Sequence, residues 1–402
     1  MPSIPMLELY AREFGLDGPD IPTGRKGRIF TRVCLSDLPT RKKLASDMGI
    51  RPATVSEIAL ELINDGLVLE ARPDRSLQKG RPEIILSPNP DRLVAIVCYL
   101  VSHSIHCALV NLGGDTLYEA HFDAEAGRTN KPAFVKIISE LFADCLGHVP
   151  QASELAGVAF SLPGIVDETN GIWCYSSHWP KLRNFDLSGL AEHFECNVTL
   201  SKNLNCELRA RISRRRDEAT ESLLLLHWGF GVGAAFANGG DISISERKGF
   251  GEVGHSCVDP ASQAMCRCGM TGCIEAEAGI WALSESLEDR SFPREEWKFE
   301  QYLRDNPDLE AWDRPINLMA LMLRNLSLTL SPDQCIITGP FSQNSRVFSR
   351  LVARFEELLP KRSLVVGEPR ITLRSGRRGT QDEIVGAAST VFSSALMHLF
   401  RD

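Results

Sequence analysis

At Ser87-Pro88-Asn89-Pro90 the sequence changes texture. Upstream of the prolines, apolar residues recur at helical spacing in short basic segments; downstream, short apolar runs alternate with amphipathic stretches. The two textures imply different folds. Strands alternating with helices over about 300 residues indicate an α/β body of two lobes, and 402 residues exceed what one hydrophobic core organises.

The upstream segment reads as three short helices and a hairpin. Ile29, Phe30 and Val33 make a first apolar stripe, broken at Asp37-Leu38-Pro39. Thr40 is a natural N-cap for a second helix carrying Leu44, Ala45 and Met48, which Gly49 ends. Pro52 suits the first turn of a third helix, whose Val55, Ile58, Ala59 and Leu62 share one face before Asn64-Asp65-Gly66 closes it. The β-rich stretches 67–71 and 83–86 flank polar residues 72–82 and predict a wing, with 87–90 as a stiff linker. Together these make a winged helix-turn-helix.

Charge supports a DNA-binding role for this head. Residues 23–88 carry 12 Lys and Arg against 8 Asp and Glu, in a chain of net charge −8. A basic module on an acidic body suits a duplex-binding head better than a general polyanion binder. Arg51, Pro52, Ala53, Thr54 and Ser56 begin the third helix, where base edges in the major groove come within reach. Glu57 fits there only by accepting from a cytosine amino group. Arg41 and Lys42, with Lys43, are placed for phosphates, and Lys79-Gly80-Arg81-Pro82 offers Lys79 and Arg81 to a minor groove. The competing reading is a capping or protein-interaction bundle whose basic residues are merely solvated.

In the body, strands are expected at 93–101, 105–111, 155–161, 198–201, 222–227, 233–237 and 334–338. Helices are expected at 132–146, 316–330, 345–359 and 383–399, with no internal repeat and no low-complexity segment. No apolar run reaches the roughly 18 residues of a membrane span, and the start lacks the pattern of a secretion signal, so a cytoplasmic location is expected.

Of twelve cysteines, Cys34, Cys98, Cys107, Cys145, Cys174, Cys196, Cys206 and Cys335 stand singly among apolar residues and read as small buried hydrophobes. Cys266, Cys268 and Cys273 are different. Following Gly251-Glu252-Val253-Gly254-His255, they complete a Cys3His set with His255, the composition of a closed structural Zn2+ site. Gly269 and Gly272 let the loop fold tightly, and Cys257 is a bystander. Free buried thiols beside an unrelated histidine are the alternative.

From about residue 23 to the C-terminus the chain resembles the ROK family, named for repressors, open reading frames and kinases. The segment GEVGHSCVDPASQAMCRCGMTGCIEAE resembles its glycine, glutamate, histidine and cysteine signature. Phe160-Ser161-Leu162-Pro163-Gly164-Ile165-Val166-Asp167 resembles its proline-glycine strand end, and Gly231-Val232-Gly233 its glycine-rich turn. A winged helix ending in Gly80-Arg81-Pro82 resembles the repressor branch, which includes xylose and N-acetylglucosamine repressors. The resemblance implies a two-lobed, actin-like sugar-kinase fold with ribonuclease-H-like lobes. It divides the chain into a flexible arm (1–22), the winged head (23–88), a first lobe (89–200) to which helix 380–402 returns, and a zinc-bearing second lobe (201–379). It also implies a homodimer or tetramer on operator DNA, a sugar or sugar-derivative effector, and no membrane partner. Glu252, His255 and Glu275 would contact sugar hydroxyls.

Departures from that family separate regulator from enzyme. Its kinases carry an Asn-Asp pair whose Asp takes the proton from the sugar hydroxyl; Lys202 and Asn203 stand there, and a neutral amide cannot serve as that base. The first phosphate loop would fall at Tyr99–Ser104, which holds neither Asp nor Gly, and the later double glycine is reduced to Gly339-Pro340-Phe341. Lys202 and Asn203 would line the pocket, where a cationic Lys202 suits an acidic ligand or blocks the usual one. A non-enzymatic, sugar-controlled regulator of carbohydrate genes is therefore expected. A sugar kinase with an accessory DNA-binding head is the alternative, and a ligand-independent structural factor a third.

Overall fold

The computed structural model describes residues 24–71, 84–213, 222–244, 249–286, 292–293, 295–359, 371–376 and 380–400; the expected arm, Lys79 and Arg81 lie outside them. Helices α1 (Gly24–Leu35), α2 (Arg41–Met48) and α3 (Pro52–Asn64) precede an antiparallel pair, β1 (Val68–Ala71) and β2 (Ile85–Pro88). Local chemistry sets the boundaries. Thr40 accepts a hydrogen bond from Lys43 N–H at 3.2 Å, Gly49 takes a φ of 62°, and Pro52 opens α3.

The core of this head does not stop at β2. Phe30, Val33, Leu44, Val55 and Leu62 share one apolar cluster with Leu93, Ala95 and Val97 of the body and with Val385, Phe392 and Phe400 near the C-terminus. The expected linker is accordingly corrected. Ser87 and Pro88 end β2, while Asn89 donates to the Gly66 carbonyl (2.8 Å) and Arg92 to the Asp65 carbonyl (2.8 Å). With apolar faces buried on both sides, 87–90 is a packed corner rather than a spacer.

The first lobe holds β3 (Leu93–Val101), β4 (Ser104–Asn111), β5 (Thr116–Asp123), α4 (Lys131–Leu146), β6 (Glu154–Leu162), β7 (Ile165–Asp167), β8 (Ile172–Tyr175), β9 (Phe185–Asp186), α5 (Leu190–Phe194) and β10 (Val198–Lys202). Next come α6 (Asn203–Ser213), β11 (Leu223–Trp228), β12 (Val232–Asn238), β13 (Asp241–Ile242), α7 (Ile274–Ala278), α8 (Ile280–Ser286) and α9 (Glu296–Asp305). The chain ends with α10 (Asp313–Leu330), β14 (Gln334–Thr338), α11 (Pro340–Gln343), α12 (Ser345–Leu358), β15 (Thr372–Ser375) and α13 (Gln381–Phe400).

The two large sheets run β10-β6-β3-β4-β5 and β13-β12-β11-β14-β15. In each, three successive antiparallel strands are extended on the side of the first by two parallel ones. The strand order is the same twice. The chain therefore has an internal repeat of topology, although none is visible in sequence, because burial and register accept any apolar residue of suitable size.

Helix α13 has the length and mean hydropathy (1.3) of a membrane span, a candidate not anticipated above, yet 61% of that stretch is buried against the head and first sheet. It crosses α6 closely enough that a Cβ on Gly386 would lie 1.8 Å from the Cys206 carbonyl oxygen. This crossing brings the start of α6 and the start of α13 to one cleft.

Candidate functional site

A cleft of about 480 Å³ opens at the ends of β3, β10, β11 and β14, the position where α/β sheets commonly receive ligands. Its wall includes Lys202, Asn203, Glu252, His255 and Glu275, so the five residues expected to meet a ligand are brought together.

Beside it, the ligand atoms of His255, Cys266, Cys268 and Cys273 lie within 4.8 Å of one another. His255 Nδ1 is 3.5 Å from Cys266 Sγ, and Cys268 Sγ is 3.8 Å from Cys273 Sγ. A tetrahedron with metal–sulfur bonds of about 2.3 Å has sulfur–sulfur edges near ~3.8 Å, so the donor set fits one Zn2+. Burial pushes the Cys266 thiol up to about 11, and burial with its neighbouring thiols pushes Cys273 up as well. Three sulfurs so close ionise together only with a cation between them. Gly272 (φ 72°) has no room for a side chain, since a Cβ would sit 2.3 Å from the Asp259 carbonyl oxygen. Arg314 of α10 braces the loop by donating to Glu277 and Asp259, each at 2.8 Å. Cys257 is exposed and outside the cluster.

With Nδ1 turned to the sulfurs, His255 keeps its other nitrogen for the cleft. Glu275, almost fully buried, accepts from Val232 N–H at 3.0 Å through Oε2, while Oε1 has no hydrogen-bond partner. Burial pushes its carboxyl upward. His178 stands 3.6 Å from that bare oxygen. Arg267 faces His178 Nδ1 at 3.2 Å, and because arginine only donates, Nδ1 must accept and the proton sits on Nε2, toward Glu275. Burial, then Arg267, His103 and His255, lower the His178 pKa to about 3, which keeps the ring neutral. A hydroxyl placed between them could accept from one and donate to the other. His178 was missed by sequence reasoning, because a lone histidine in the loop between β8 and β9 carries no spacing signal.

Lys202 is committed internally. Its ammonium donates to Glu252 (2.7 Å) and to the Phe250 carbonyl (2.9 Å), so its charge is already matched. Asn203 accepts from Leu204 N–H at 2.9 Å, which ties its carbonyl to the first turn of α6.

Farther along the cleft, His227, Glu296, Glu207 and Glu383 are residues that no motif pointed to, and partners behind the wall hold several of them. His227 pairs with Glu296 at 3.2 Å, Ser161 donates to Glu383 at 2.6 Å, and Arg211 bridges Glu207 (2.8 Å) and Asp382 (3.2 Å). Burial, reinforced by Glu207 and Glu296, holds Glu383 up to about 8 against the Ser161 hydroxyl and His227.

On the head, Arg51, Pro52, Ala53 and Ser56 are exposed at the start of α3 and Thr54 is half-buried. Ser56 donates back to the Pro52 carbonyl at 2.9 Å and keeps its oxygen as an acceptor. Lys42 is exposed, and Arg41 is ion-paired with Glu70 of β1 at 2.5 Å.

The ROK family pattern matches residues 101–392, and the chain belongs to that family. The DNA-binding transcriptional dual regulator NagC of Escherichia coli K12 is 27% identical over 251 residues, 62% of this chain and 60% of NagC. The chain thus matches less than two thirds of that relative. The xylose repressor of Caldicellulosiruptor bescii is 22% identical over 378 residues, covering 89% of this chain and 92% of the repressor. The crystal structure of a ROK family transcriptional regulator, a homologue of E. coli Mlc, matches with a TM-score of 0.73 at 20% identity, over 94% of this chain and 98% of that one. The two-lobed, actin-like body behind an N-terminal helical head is therefore a shared fold.

Proposed function

We propose that this chain is a cytoplasmic, DNA-binding transcriptional regulator of carbohydrate genes, acting as a repressor under control of a sugar or sugar derivative. The observation that carries this reading is the contrast within one cleft. The metal-braced wall retains buried groups suited to hydroxyls, while the position of the proton acceptor is Asn203, its amide oxygen tied to a backbone N–H. Relatives named as a DNA-binding transcriptional dual regulator and as a xylose repressor support the same reading.

In this reading Arg51, Pro52, Ala53, Thr54 and Ser56 meet bases, Lys42 and Arg41 meet phosphates, and Lys79 and Arg81 enter a minor groove. Glu252, His255, Glu275, Lys202 and Asn203 line the effector site, and His255, Cys266, Cys268 and Cys273 hold a structural Zn2+ that stiffens it. The head, the two lobes and the returning helix act as the working units, paired in a homodimer on symmetric half-sites. The effector acts only if its affinity differs between the DNA-bound and free arrangements.

A gel-shift titration on the DNA upstream of the protein's own coding region, repeated with a sugar library, tests this. One sugar should weaken binding by at least about tenfold, and Arg51→Ala should weaken it at every salt concentration. ATP turnover on a hexose would instead establish the kinase reading.

A further inference from the structure

Cys98 of β3 and Cys107 of β4 stand directly opposite each other in the first sheet. Just beyond the Val94–Asn111 pair, Leu112 N–H donates to the Leu93 carbonyl at 3.0 Å, which makes the odd-numbered residues of β3 the hydrogen-bonded ones. By alternation Cys98 and Cys107 form a non-hydrogen-bonded pair, the kind whose side chains come closest. Their sulfurs are 3.0 Å apart. Facing Cα atoms in such a pair lie about 4.5 Å apart, within the ~4.4–6.8 Å that a disulfide spans, so a bond needs the sulfurs to close by only roughly 1 Å. Both side chains are buried in the apolar layer that also holds Cys145 of α4. Cys145 donates to the Cys107 carbonyl at 3.5 Å, so its thiol is turned to backbone. Three pairs along the same hairpin is the turn to β4, where Leu100, Val101 and Ser102 line the cleft. Ser102 takes a φ of 52°, uncommon for any residue with a side chain, and its buried hydroxyl has no hydrogen-bond partner.

We propose that Cys98 and Cys107 form a modification site, oxidised by hydrogen peroxide to an intramolecular disulfide that ties the hairpin lining the cleft. One sulfur gives up its proton and attacks a peroxide oxygen; the O–O bond breaks, and the departing hydroxide takes that proton to become water. The sulfenic acid left behind is attacked by the second sulfur. The S–S bond forms, the S–O bond breaks, and the second thiol's proton leaves with the hydroxide as another water. Two thiols thus lose two electrons to one peroxide. Burial pushes the Cys107 thiol up, so the first step is slow and favours an oxidant small enough to enter the layer. Once a sulfenic acid forms there, the opposite cysteine is the nucleophile at hand. A thiol reductant such as glutathione opens the bond again.

The test treats the full chain with hydrogen peroxide, unfolds it, blocks remaining thiols with iodoacetamide and maps unreduced peptides by mass spectrometry. Peptides joining Cys98 to Cys107 should exceed those joining either to any other cysteine by at least about tenfold. Exposed Cys257 reports that oxidant was present. Cys98 and Cys107 both alkylated where Cys257 is oxidised, or joined as often to Cys145, overturn the proposal. Amide exchange at residues 100–104 should slow by at least about threefold in the oxidised parent, and not in Cys107→Ala treated alike. Exchange unchanged in the parent, or slowed equally in the variant, overturns the tether. These readouts need neither DNA nor sugar, so failure of the regulator reading would leave the site standing.

Discussion

Glu275 and Glu296 both line the cleft, and both accept a hydrogen bond beside the β11–β12 turn, Glu275 from Val232 N–H at 3.0 Å and Glu296 from Phe230 N–H at 2.6 Å. There the likeness ends. Glu296 is closed off by the His227 imidazolium, so its surroundings are satisfied from within. Glu275 keeps a buried oxygen without a hydrogen-bond partner, beside a neutral His178 whose proton faces it across 3.6 Å. An unsatisfied buried polar group costs roughly 1–3 kcal/mol. The difference separates a carboxylate oxygen left without a hydrogen-bond partner from a carboxylate whose partners all come from within the chain.

The largest effects are expected at the loop that gathers His255, Cys266, Cys268 and Cys273 beside the cleft. Cys268→Ser or Cys273→Ser should abolish Zn2+ binding and lower stability by about 3 kcal/mol or more, measured by metal content and thermal unfolding. Cys257→Ser, outside the cluster, should change neither. Full metal content in Cys268→Ser would remove the basis for treating this wall as metal-braced.

Next in size is the contrast between the two carboxylates themselves. Glu275→Gln should weaken effector binding by about 10- to 100-fold, the worth of a hydrogen bond to a charged group, whereas Glu296→Gln should leave it within about threefold. Equal losses in calorimetric titrations with the responsive sugar would erase the comparison.

The smallest effect concerns pH. Glu383 has a folded pKa of about 8 against an ordinary 4.5, so above 4.5 the folded state holds a proton that the unfolded chain releases. Its contribution to stability therefore declines as pH rises from 4.5 to 8. His227, raised from 6.5 to about 9, acts in the same direction: its stabilisation is complete below 6.5 and is lost as pH climbs through 9. The Glu383 part of this drop should be about 1–2 kcal/mol between neutral pH and 9, and Glu383→Gln should remove that part of the slope in melting curves across the range. An identical slope in the variant would show that Glu383 is not the proton holder.

The helices of the head were legible because their boundaries are local: Thr40, Gly49 and Pro52 each act within a turn of their own position. The gathering of one histidine and three cysteines was legible because Cys266, Cys268 and Cys273 fall within eight residues and His255 sits just ahead of them. Glu252 and Glu275 followed from a family resemblance built on that same stretch. The corner at 87–90 was misread as a linker, since prolines report stiffness but not what packs around them.

What the amino-acid order determined alone is therefore whatever short-range chemistry writes: caps, turns and a cluster of three cysteines beside a histidine. Tertiary structure alone decided which distant groups meet. Glu296 reaches Phe230 across 66 residues and Ser161 reaches Glu383 across 222, contacts that leave no periodicity behind because strand order and helix crossing, not spacing, bring them together. The same holds for the doubled sheet topology, which backbone hydrogen bonding and burial specify while leaving the identity of each apolar side chain free.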